Sequence, residues 1–157
     1  MRATSPVQTS VEPAIAMWSL EHRVRVFVFQ VLDHRVDYLL LRHKPRAEWP
    51  LGPVVGALEP GEHLEDAIRR EVHAETGLRR PVHLLELLAP QKELFGDAGI
   101  VEWPFGWQAG TPSEPVRALT PGPMIGELHW LTFDAAFREL EMPTDREALV
   151  RLQTTLQ

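Results

Sequence analysis

The hydrophobic pattern of the chain predicts a series of strands. In HRVRVFVFQVL, residues 22–32, basic and apolar residues alternate and then give way to an almost continuous apolar run. Such a change is typical of a strand that leads from the edge of a sheet into its buried centre. The turn DHR and the apolar run VDYLLLRH, residues 36–43, complete a predicted hairpin. The remaining predicted strands cover 54–58, 81–95 with room for a bulge, 100–109 and 126–133.

One segment, residues 63–76, has the periodicity of a helix instead. The turn EPGE precedes it, with Pro60 and Gly61 in the positions that a type II turn prefers. Gly77 follows the segment, at the place where a glycine commonly ends a helix in the left-handed conformation. These local signals predict a helix that begins just after the turn and ends at Thr76.

Two further helices are predicted after the last strand. A short helix is expected at 134–140 with Asp134 as its N-cap. An amphipathic helix is expected at 143–157 with Thr144 as its N-cap. The order of strands, a helix, more strands and more helices predicts a mixed sheet with helices on its faces, in the α/β or α+β class.

The ends of the chain and one long loop complete this outline. Residues 1–13 are polar and interrupted by proline, and we interpret them as a flexible tail, which leaves 14–157 as a single domain. The segment AIAMWSL, residues 14–20, predicts an added strand or a turn of helix, and it could serve as a contact in a homodimer. Four prolines between 110 and 125 indicate a long loop, and such loops often carry substrate contacts.

Composition and charge restrict the classes of function. The 157 residues match one domain, 44% of them are hydrophobic, and no stretch approaches the ~20 apolar residues of a membrane span. The formal net charge of −6 argues against a nucleic-acid partner and against binding to an anionic membrane. The absence of cysteine excludes disulfides and thiolate metal sites, and the N-terminus lacks the pattern of a secretory signal. We therefore expect a cytoplasmic protein.

The helix at 63–76 carries two glutamates where an apolar face is expected. At about 100° per residue, Glu71 and Glu75 point the same way, between the apolar residues of the helix. Two carboxylates in a partly desolvated place oppose each other's ionisation, and the helix dipole disfavours an anion near the C-terminal end. A hard divalent cation such as Mg²⁺ or Mn²⁺ would compensate for both effects. The alternative is a guanidinium group from a neighbouring strand, for which the candidates are Arg23, Arg25 and Arg42.

The stretch GALEPGEHLEDAIRREVHAETGL, residues 56–78, resembles the signature of the Nudix hydrolases. That signature is a glycine, five residues, a glutamate, seven residues and then R-E-U-x-E-E-x-G-U, where U is a bulky aliphatic residue. Ala74 stands in place of the first glutamate of the E-E pair. The other fixed positions are matched by Gly56, Glu62, Arg70, Glu71, Val72, Glu75, Gly77 and Leu78.

The resemblance implies a Nudix-type α/β/α sandwich around a mixed β-sheet, and hydrolysis of a nucleoside diphosphate linked to another group. It implies Mg²⁺ or Mn²⁺ as the cofactor and a small nucleotide-like diphosphate as the partner molecule. Glu71, Glu75 and the carbonyl oxygen of Gly56 would hold the metal ion, which assists the attack of water on phosphorus. Glu62 and Arg70 would form a mainly structural ion pair that fastens the loop to the helix.

The resemblance also implies a general base outside the signature, shortly before a tryptophan on a late strand. Glu127, three residues before Trp130, is the candidate. In the relatives to which this stretch is most similar, the glutamate lies further ahead, near the position of Met124. Glu93 or Glu102 could take the role instead, and a site without a base is a further alternative.

Substrate contacts are expected around the end of the second strand. Arg42, Lys44 and Arg46 could hold phosphate oxygens, although each could also be an ordinary surface charge. Four aromatic residues could stack on a base or a pterin, or pack in the core and loops: Trp49, Trp103, Phe105 and Trp107. The seven histidines show no spacing typical of a zinc site, so a histidine-based metal site is not expected.

The segments around the signature are similar to those of dihydroneopterin triphosphate pyrophosphohydrolases, and a generic nucleoside triphosphate pyrophosphohydrolase fits equally well. Ala74 removes one negatively charged ligand, which should weaken metal binding. We expect a metal-dependent pyrophosphohydrolase, with a catalytically weak or inactive nucleotide-binding module of the same fold as the alternative. A purely structural partner protein is disfavoured, because carboxylates on an apolar stripe serve no packing purpose.

Overall fold

The computed structural model describes residues 19–45 and 48–157. Within these ranges the chain forms seven strands, namely β1 (Ser19–Val31), β2 (Val36–His43), β3 (Val54–Ala57), β4 (His83–Glu86), β5 (Gln91–Phe95), β6 (Ala98–Gly110) and β7 (Ile125–Leu131). The same ranges contain three helices, namely α1 (Leu64–Thr76), α2 (Phe133–Glu139) and α3 (Pro143–Thr155).

The centre of the sheet is formed by the two longest strands. β1 and β6 run parallel to each other, from the pair Ser19 and Ala98 to the pair Gln30 and Gly110. The other strand pairings of the described residues are antiparallel. The sheet is therefore mixed, as the sequence predicts.

The second edge of β1 is shared by two strands. β3 pairs with residues 23–26 of β1, and β2 pairs with residues 28–31. β2 and β3 therefore diverge from neighbouring points of β1, and an isolated bridge between Leu41 and Gly52 lies beside the opening. We refer to the opening between the end of β2 at His43 and β3 at Val54–Ala57 as the fork.

The strand predicted at 81–95 is instead two strands, β4 and β5, which pair with different parts of β6. Between them Leu87 is buried, and its N–H donates to the carbonyl oxygen of Pro104 (3.1 Å). Pro90 follows, and because proline has no N–H to donate, it interrupts the ladder just before β5 begins at Gln91.

Alternation along β1 separates two cores, one on each face of the sheet. Val24, Val26 and Val28 belong to the core that α1 covers. Phe27 and Phe29 belong to the core on the opposite face, which α2 and α3 cover. Successive side chains of a strand point to opposite faces, which explains this division. The mixed sheet with helices on both faces confirms the predicted sandwich.

The turn before α1 and the end of α1 also follow the sequence. Gly61 has a φ of 77°, as the third position of a type II turn requires, and the N–H of Glu62 donates to the carbonyl oxygen of Glu59 (2.9 Å). Gly77 has a φ of 81°, and its N–H donates to the carbonyl oxygen of His73 (2.9 Å). Both glycines therefore occupy the left-handed region that was predicted for them.

The caps predicted for the later helices are wrong. The N-cap of α2 is Thr132, whose hydroxyl accepts a hydrogen bond from the N–H of Ala135 (3.3 Å). Asp134 lies in the first turn, where its charge favours the helix dipole without capping the helix. α3 begins at Pro143, so Thr144 lies inside the helix.

Parts of the predicted outline lie outside the described residues. These are the tail at 1–13 and most of 14–20, of which Ser19 and Leu20 form the start of β1. Residues 111–124 contain neither a helix nor a strand, in agreement with the predicted loop. Of the described helices, none combines the length and the apolar character that a membrane crossing would require.

Candidate active site at the fork of the sheet

Three elements bring chemically active groups to the fork. β2 ends there with His43, β3 contributes Gly56, and α1 packs on β3 and β1 with Glu71 and Glu75 in its second half. Both glutamates are largely buried, with 18% and 14% of their side chains exposed. The inward position predicted for these two carboxylates is therefore the observed one.

Gly56 leaves room for Glu71. A Cβ atom at position 56 would lie 2.1 Å from Cδ and 2.5 Å from Oε1 of the glutamate. These distances are far shorter than a van der Waals contact, so the glutamate can occupy its place only because position 56 has no side chain. The carboxylate of Glu71 therefore lies directly against the backbone of β3.

Arg70 connects the turn before α1 to the helix. Its Nε and Nη2 atoms each donate to the carboxylate of Glu62 at 2.9 Å, and Nη2 also donates to the carbonyl oxygen of Ala57 (2.9 Å). Hydrogen bonds from Arg70 and from the N–H of Glu59 lower the pKa of Glu62 to about 2. The Nη1 atom donates to Oε2 of Glu71 (2.7 Å). One guanidinium group thus holds the turn and orients an inward carboxylate.

Glu75 has a partner that the sequence does not reveal. The Nε2 atom of His43 lies 2.5 Å from Oε2 of Glu75. The loop before β7 lies on the same residue, because the N–H of Gly122 donates to the backbone carbonyl of Glu75 (3.2 Å). Positions 43 and 75 belong to a strand and a helix that are 32 residues apart, so no local spacing connects them.

The strand arginines that were candidate partners of the inward carboxylates bind other acidic residues. Each has a different acidic partner: Arg23 binds Glu21, Arg25 binds Asp145 and Glu102, and Arg42 binds Glu127. The pair between Arg25 and Asp145 is buried and joins the sheet to α3 with two hydrogen bonds of 2.7 and 2.5 Å. The guanidinium group that contacts Glu71 comes from its own helix.

The donor groups at the fork fit a divalent ion that has only a few protein ligands. In the described ranges, no three side chains of the types His, Cys, Asp and Glu already converge as they would in a closed metal site. Mg²⁺ is usually held by only one or two carboxylates, with water and substrate phosphates as its other ligands. Glu71, placed against a glycine backbone, and Glu75, one turn further along α1, match that donor set.

The structure does not bring Glu127 to these carboxylates. On β7, Leu128 and Trp130 pack against the core under α1, so the alternating Glu127 points to the opposite face. There it accepts hydrogen bonds from His129 (2.9 Å) and from Arg42, and these bonds lower its pKa. A carboxylate with a lowered pKa is a weaker base. Its position and its chemistry both argue against the role of general base.

The other two candidates for the base lie further away. Glu93 is exposed on β5, and Glu102 of β6 accepts a hydrogen bond from Arg25 (3.1 Å). β6 pairs with the edge of β1 that is opposite to the fork, and β5 lies beyond it. Neither carboxylate therefore shares an edge of the sheet with Glu71 and Glu75.

A cavity of about 230 Å³ opens at the fork. Its walls include Arg42 and His43 of β2, Trp49 of the following loop, and Met142 and Asp145 at the start of α3, whereas the two inward carboxylates do not line it. Trp49 is 45% exposed, and its carbonyl oxygen accepts a hydrogen bond from Nε of Arg42 (2.6 Å). Two of the predicted substrate contacts, Arg42 and Trp49, therefore line one cavity.

The other predicted contacts that belong to the described residues do not line this cavity. Lys44 lines a neighbouring groove of about 320 Å³ at the ends of β2 and β7, and Arg46 lies outside the described residues. Trp103 stacks on a histidine of β1, and Trp107 is fully buried. Phe105 is partly buried against the core under α1. These three aromatic residues pack within the fold, as the alternative interpretation of them predicted.

A family model described as the NUDIX domain matches residues 21–152. The chain belongs to the Nudix family. The match covers the fork, α1 and most of the two cores, so the Nudix resemblance of the signature is confirmed. No curated protein matches the sequence of this Nudix chain.

Solved structures of other Nudix proteins share the fold at low sequence identity. A protein described as a Nudix hydrolase, from Listeria monocytogenes, matches with a TM-score of 0.71 and 20% identity over 86% of this chain and 93% of the other. The Nudix domain of NrtR from Shewanella oneidensis, complexed with ADP ribose, has a TM-score of 0.69 and 12% identity over 88% and 90%. The dihydroneopterin triphosphate pyrophosphohydrolase of E. coli has a TM-score of 0.64 and 20% identity over 82% and 91%. Identities this low show the shared Nudix fold alone.

Proposed function

We propose that this Nudix protein hydrolyses the phosphoanhydride bond of a nucleoside diphosphate linked to another group, and that it requires Mg²⁺ or Mn²⁺. The observation that carries the proposal is the contact of Glu71 with the bare backbone of Gly56, with Glu75 one turn further along α1. Burying carboxylates is unfavourable unless a partner compensates for the lost hydration. A cation that also binds phosphate oxygens is such a partner.

The divalent ion, when bound, would neutralise charge on the diphosphate and assist the attack of water on phosphorus. Glu71, Glu75 and the carbonyl oxygen of Gly56 hold the ion in this proposal. Arg70 orients the carboxylate of Glu71 through the hydrogen bond from Nη1 (2.7 Å), and Glu62 keeps Arg70 in place with two bonds of 2.9 Å. The chain itself therefore contributes binding and orientation, which are large terms in phosphoryl chemistry.

The organic part of the substrate is assigned to the cavity at the fork. Trp49 lines this cavity and is 45% exposed, and in this proposal its aromatic side chain stacks on a nucleobase or a pterin. Lys44 brings an ammonium group to the neighbouring groove, where it can bind a phosphate as a point charge. A nucleoside triphosphate and dihydroneopterin triphosphate both combine an aromatic ring system with a phosphoanhydride and both satisfy this arrangement.

The test is the release of phosphate or pyrophosphate from nucleoside triphosphates, dinucleotide polyphosphates and nucleotide sugars, each with Mg²⁺ and with Mn²⁺. Glu71→Gln and Glu75→Gln should each lower turnover by at least about 10- to 100-fold, the loss typical of removing a group that only orients a metal ligand. Glu65→Gln is the matched control, since Glu65 is an exposed glutamate of the same helix. Turnover that survives in both inward variants would refute the assignment of the site.

A nucleotide-binding module of the same fold, with weak or no turnover, is the second candidate. Ala74 favours it, because the signature position that usually supplies a further carboxylate has none. Calorimetry with the same panel of nucleotides separates the two candidates. Binding without turnover under either metal ion would favour the module, whereas turnover of any substrate in the panel would exclude it.

A further inference from the structure

The position that lacks a carboxylate in this chain lies at the surface of α1. Ala74 is exposed, and its carbonyl oxygen lies so close to Gly122 that a Cβ atom there would be 2.3 Å away. The loop before β7 therefore passes over this part of the helix and also binds the backbone of Glu75. Any donor in place of the missing carboxylate would come from another element.

His43 brings such a donor from β2. Leu39 and Leu41 pack in the core under α1, and His43 follows them with the same alternation, so its ring points toward the helix. Its Nε2 atom lies 2.5 Å from Oε2 of Glu75, and 35% of the side chain is exposed. An imidazole nitrogen and a carboxylate oxygen thus face each other at the mouth of the fork.

We propose that His43 is a metal ligand in this chain, with Nε2 taking the place of the carboxylate that Ala74 lacks. This proposal rests on the metal site of the proposed function. Neighbouring ligands of an octahedral ion with bonds of about 2.1 Å lie about 3 Å apart. The Nε2 and Oε2 atoms would therefore need to separate by roughly 0.5 Å to share an ion.

A nitrogen ligand changes which ion the site prefers. Mg²⁺ favours oxygen donors, whereas imidazole suits transition metals, and affinity for them rises from Mn²⁺ to Co²⁺. A neutral nitrogen in place of a carboxylate also leaves the site with one negative charge less. We expect this site to bind Co²⁺ more tightly than Mg²⁺. The spacing of the histidines in the sequence does not predict such a ligand.

Pulsed electron paramagnetic resonance of Mn²⁺ bound to the full chain tests the coordination directly, because a coordinated imidazole produces a nitrogen hyperfine coupling. We expect the coupling in the wild type and its loss in His43→Gln. His73→Gln is the matched control, since His73 is an exposed histidine on α1, and it should retain the coupling. Mn²⁺ bound without the coupling in the wild type, or a coupling that survives in His43→Gln, would overturn the proposal.

Calorimetric titration tests the preference between ions. His43→Gln should lower the ratio of Co²⁺ affinity to Mg²⁺ affinity by about tenfold or more. His43→Glu, which returns a carboxylate to the fork, should bind Mg²⁺ more tightly than His43→Gln does. If His43→Gln weakens both ions equally, the histidine only positions Glu75 and the proposal fails.

Both measurements are independent of turnover. Nitrogen coordination in a chain that hydrolyses none of the substrates would support the inference and refute the proposed function. Hydrolysis by a chain without nitrogen coordination would support the proposed function and refute the inference about His43. A chain that binds neither Mn²⁺ nor Co²⁺ would overturn the inference.

Discussion

The missing side chain at Gly56 determines where the carboxylate of Glu71 can lie. A Cβ atom at this position would meet Cδ, Cγ and Oε1 of the glutamate at 2.1, 2.4 and 2.5 Å. Gly52, which forms the bridge with Leu41 beside the fork, differs, because a Cβ atom there would meet nothing within 4 Å. The two glycines therefore allow the effect of a close approach to be separated from that of backbone flexibility.

Gly56→Ala should disturb the metal site more than the fold. The clashing atoms belong to the flexible end of Glu71, so the side chain can rotate away at a cost of about 0.5–1.5 kcal/mol in the free energy of unfolding. We expect the dissociation constant of Mn²⁺, measured by calorimetry, to rise by about tenfold or more. Gly52→Ala should match the wild type in Mn²⁺ affinity and in urea unfolding. Unchanged Mn²⁺ affinity in Gly56→Ala would contradict the role assigned to Glu71.

The two inward carboxylates could be found from the sequence, but their partners could not. The helical period is a local property, so it places Glu71 and Glu75 on the inward side before any tertiary structure is known. The bonds from Arg70 to Glu71 and from His43 to Glu75 depend on rotamers and on the point where β2 ends. Contacts of this kind leave no periodic signal in the sequence.

Among the elements, the turn before α1 and the helix itself are held together by one ion pair. Glu62 is the last residue of the turn, and Arg70, in the second turn of α1, donates two hydrogen bonds to its carboxylate. The N–H of Glu59 donates a third bond to the same carboxylate. Because all three bonds favour the ionised form, the pKa of Glu62 falls from an ordinary 4.5 to about 2.

This lowered pKa predicts how Glu62→Gln depends on pH. The pair contributes stability above the ordinary pKa of 4.5, and the contribution is lost as the pH falls toward the folded value of about 2. The difference in the free energy of unfolding between the wild type and Glu62→Gln should therefore shrink across this window. Urea unfolding at pH values on both sides of the window measures it, with Glu65→Gln as the exposed control. A difference that stays constant with pH would contradict the lowered pKa.

Local turn chemistry predicted the bounds of α1 better than those of the later elements. Gly61 and Gly77 require left-handed backbone, and the sequence signals that requirement directly. The break within 81–95 arises because β4 and β5 pair with different parts of β6. Thr132 and Asp134 are both favourable N-caps, and the end of β7 decides between them. Strand pairing over long separations in the chain cannot be derived from spacing alone.

In the whole molecule, the sheet separates two groups of charged side chains. The face under α1 carries the two inward carboxylates and His43, whereas the face under α2 and α3 carries the pairs of Arg42 with Glu127 and of Arg25 with Asp145. Arg42 and His43 are adjacent in the sequence, but they point to opposite faces because strand residues alternate. The resemblance predicted that Glu71, Glu75 and Glu127 share one site. In the structure, the alternation of side chains along β2 and β7 places Glu127 on the opposite face of the sheet.

This division predicts that Glu127 is not the general base of the reaction. Loss of a general base typically lowers kcat by about 10²- to 10⁴-fold, whereas Glu127→Gln should lower kcat by less than about tenfold. Its effect should fall on KM, because Arg42 lines the cavity at the fork and loses its carboxylate partner. The pH dependence of kcat should keep its shape, since no group that accepts the proton of the attacking water is removed. A fall in kcat of about 100-fold, with loss of the acidic limb of that profile, would assign the base to Glu127 after all.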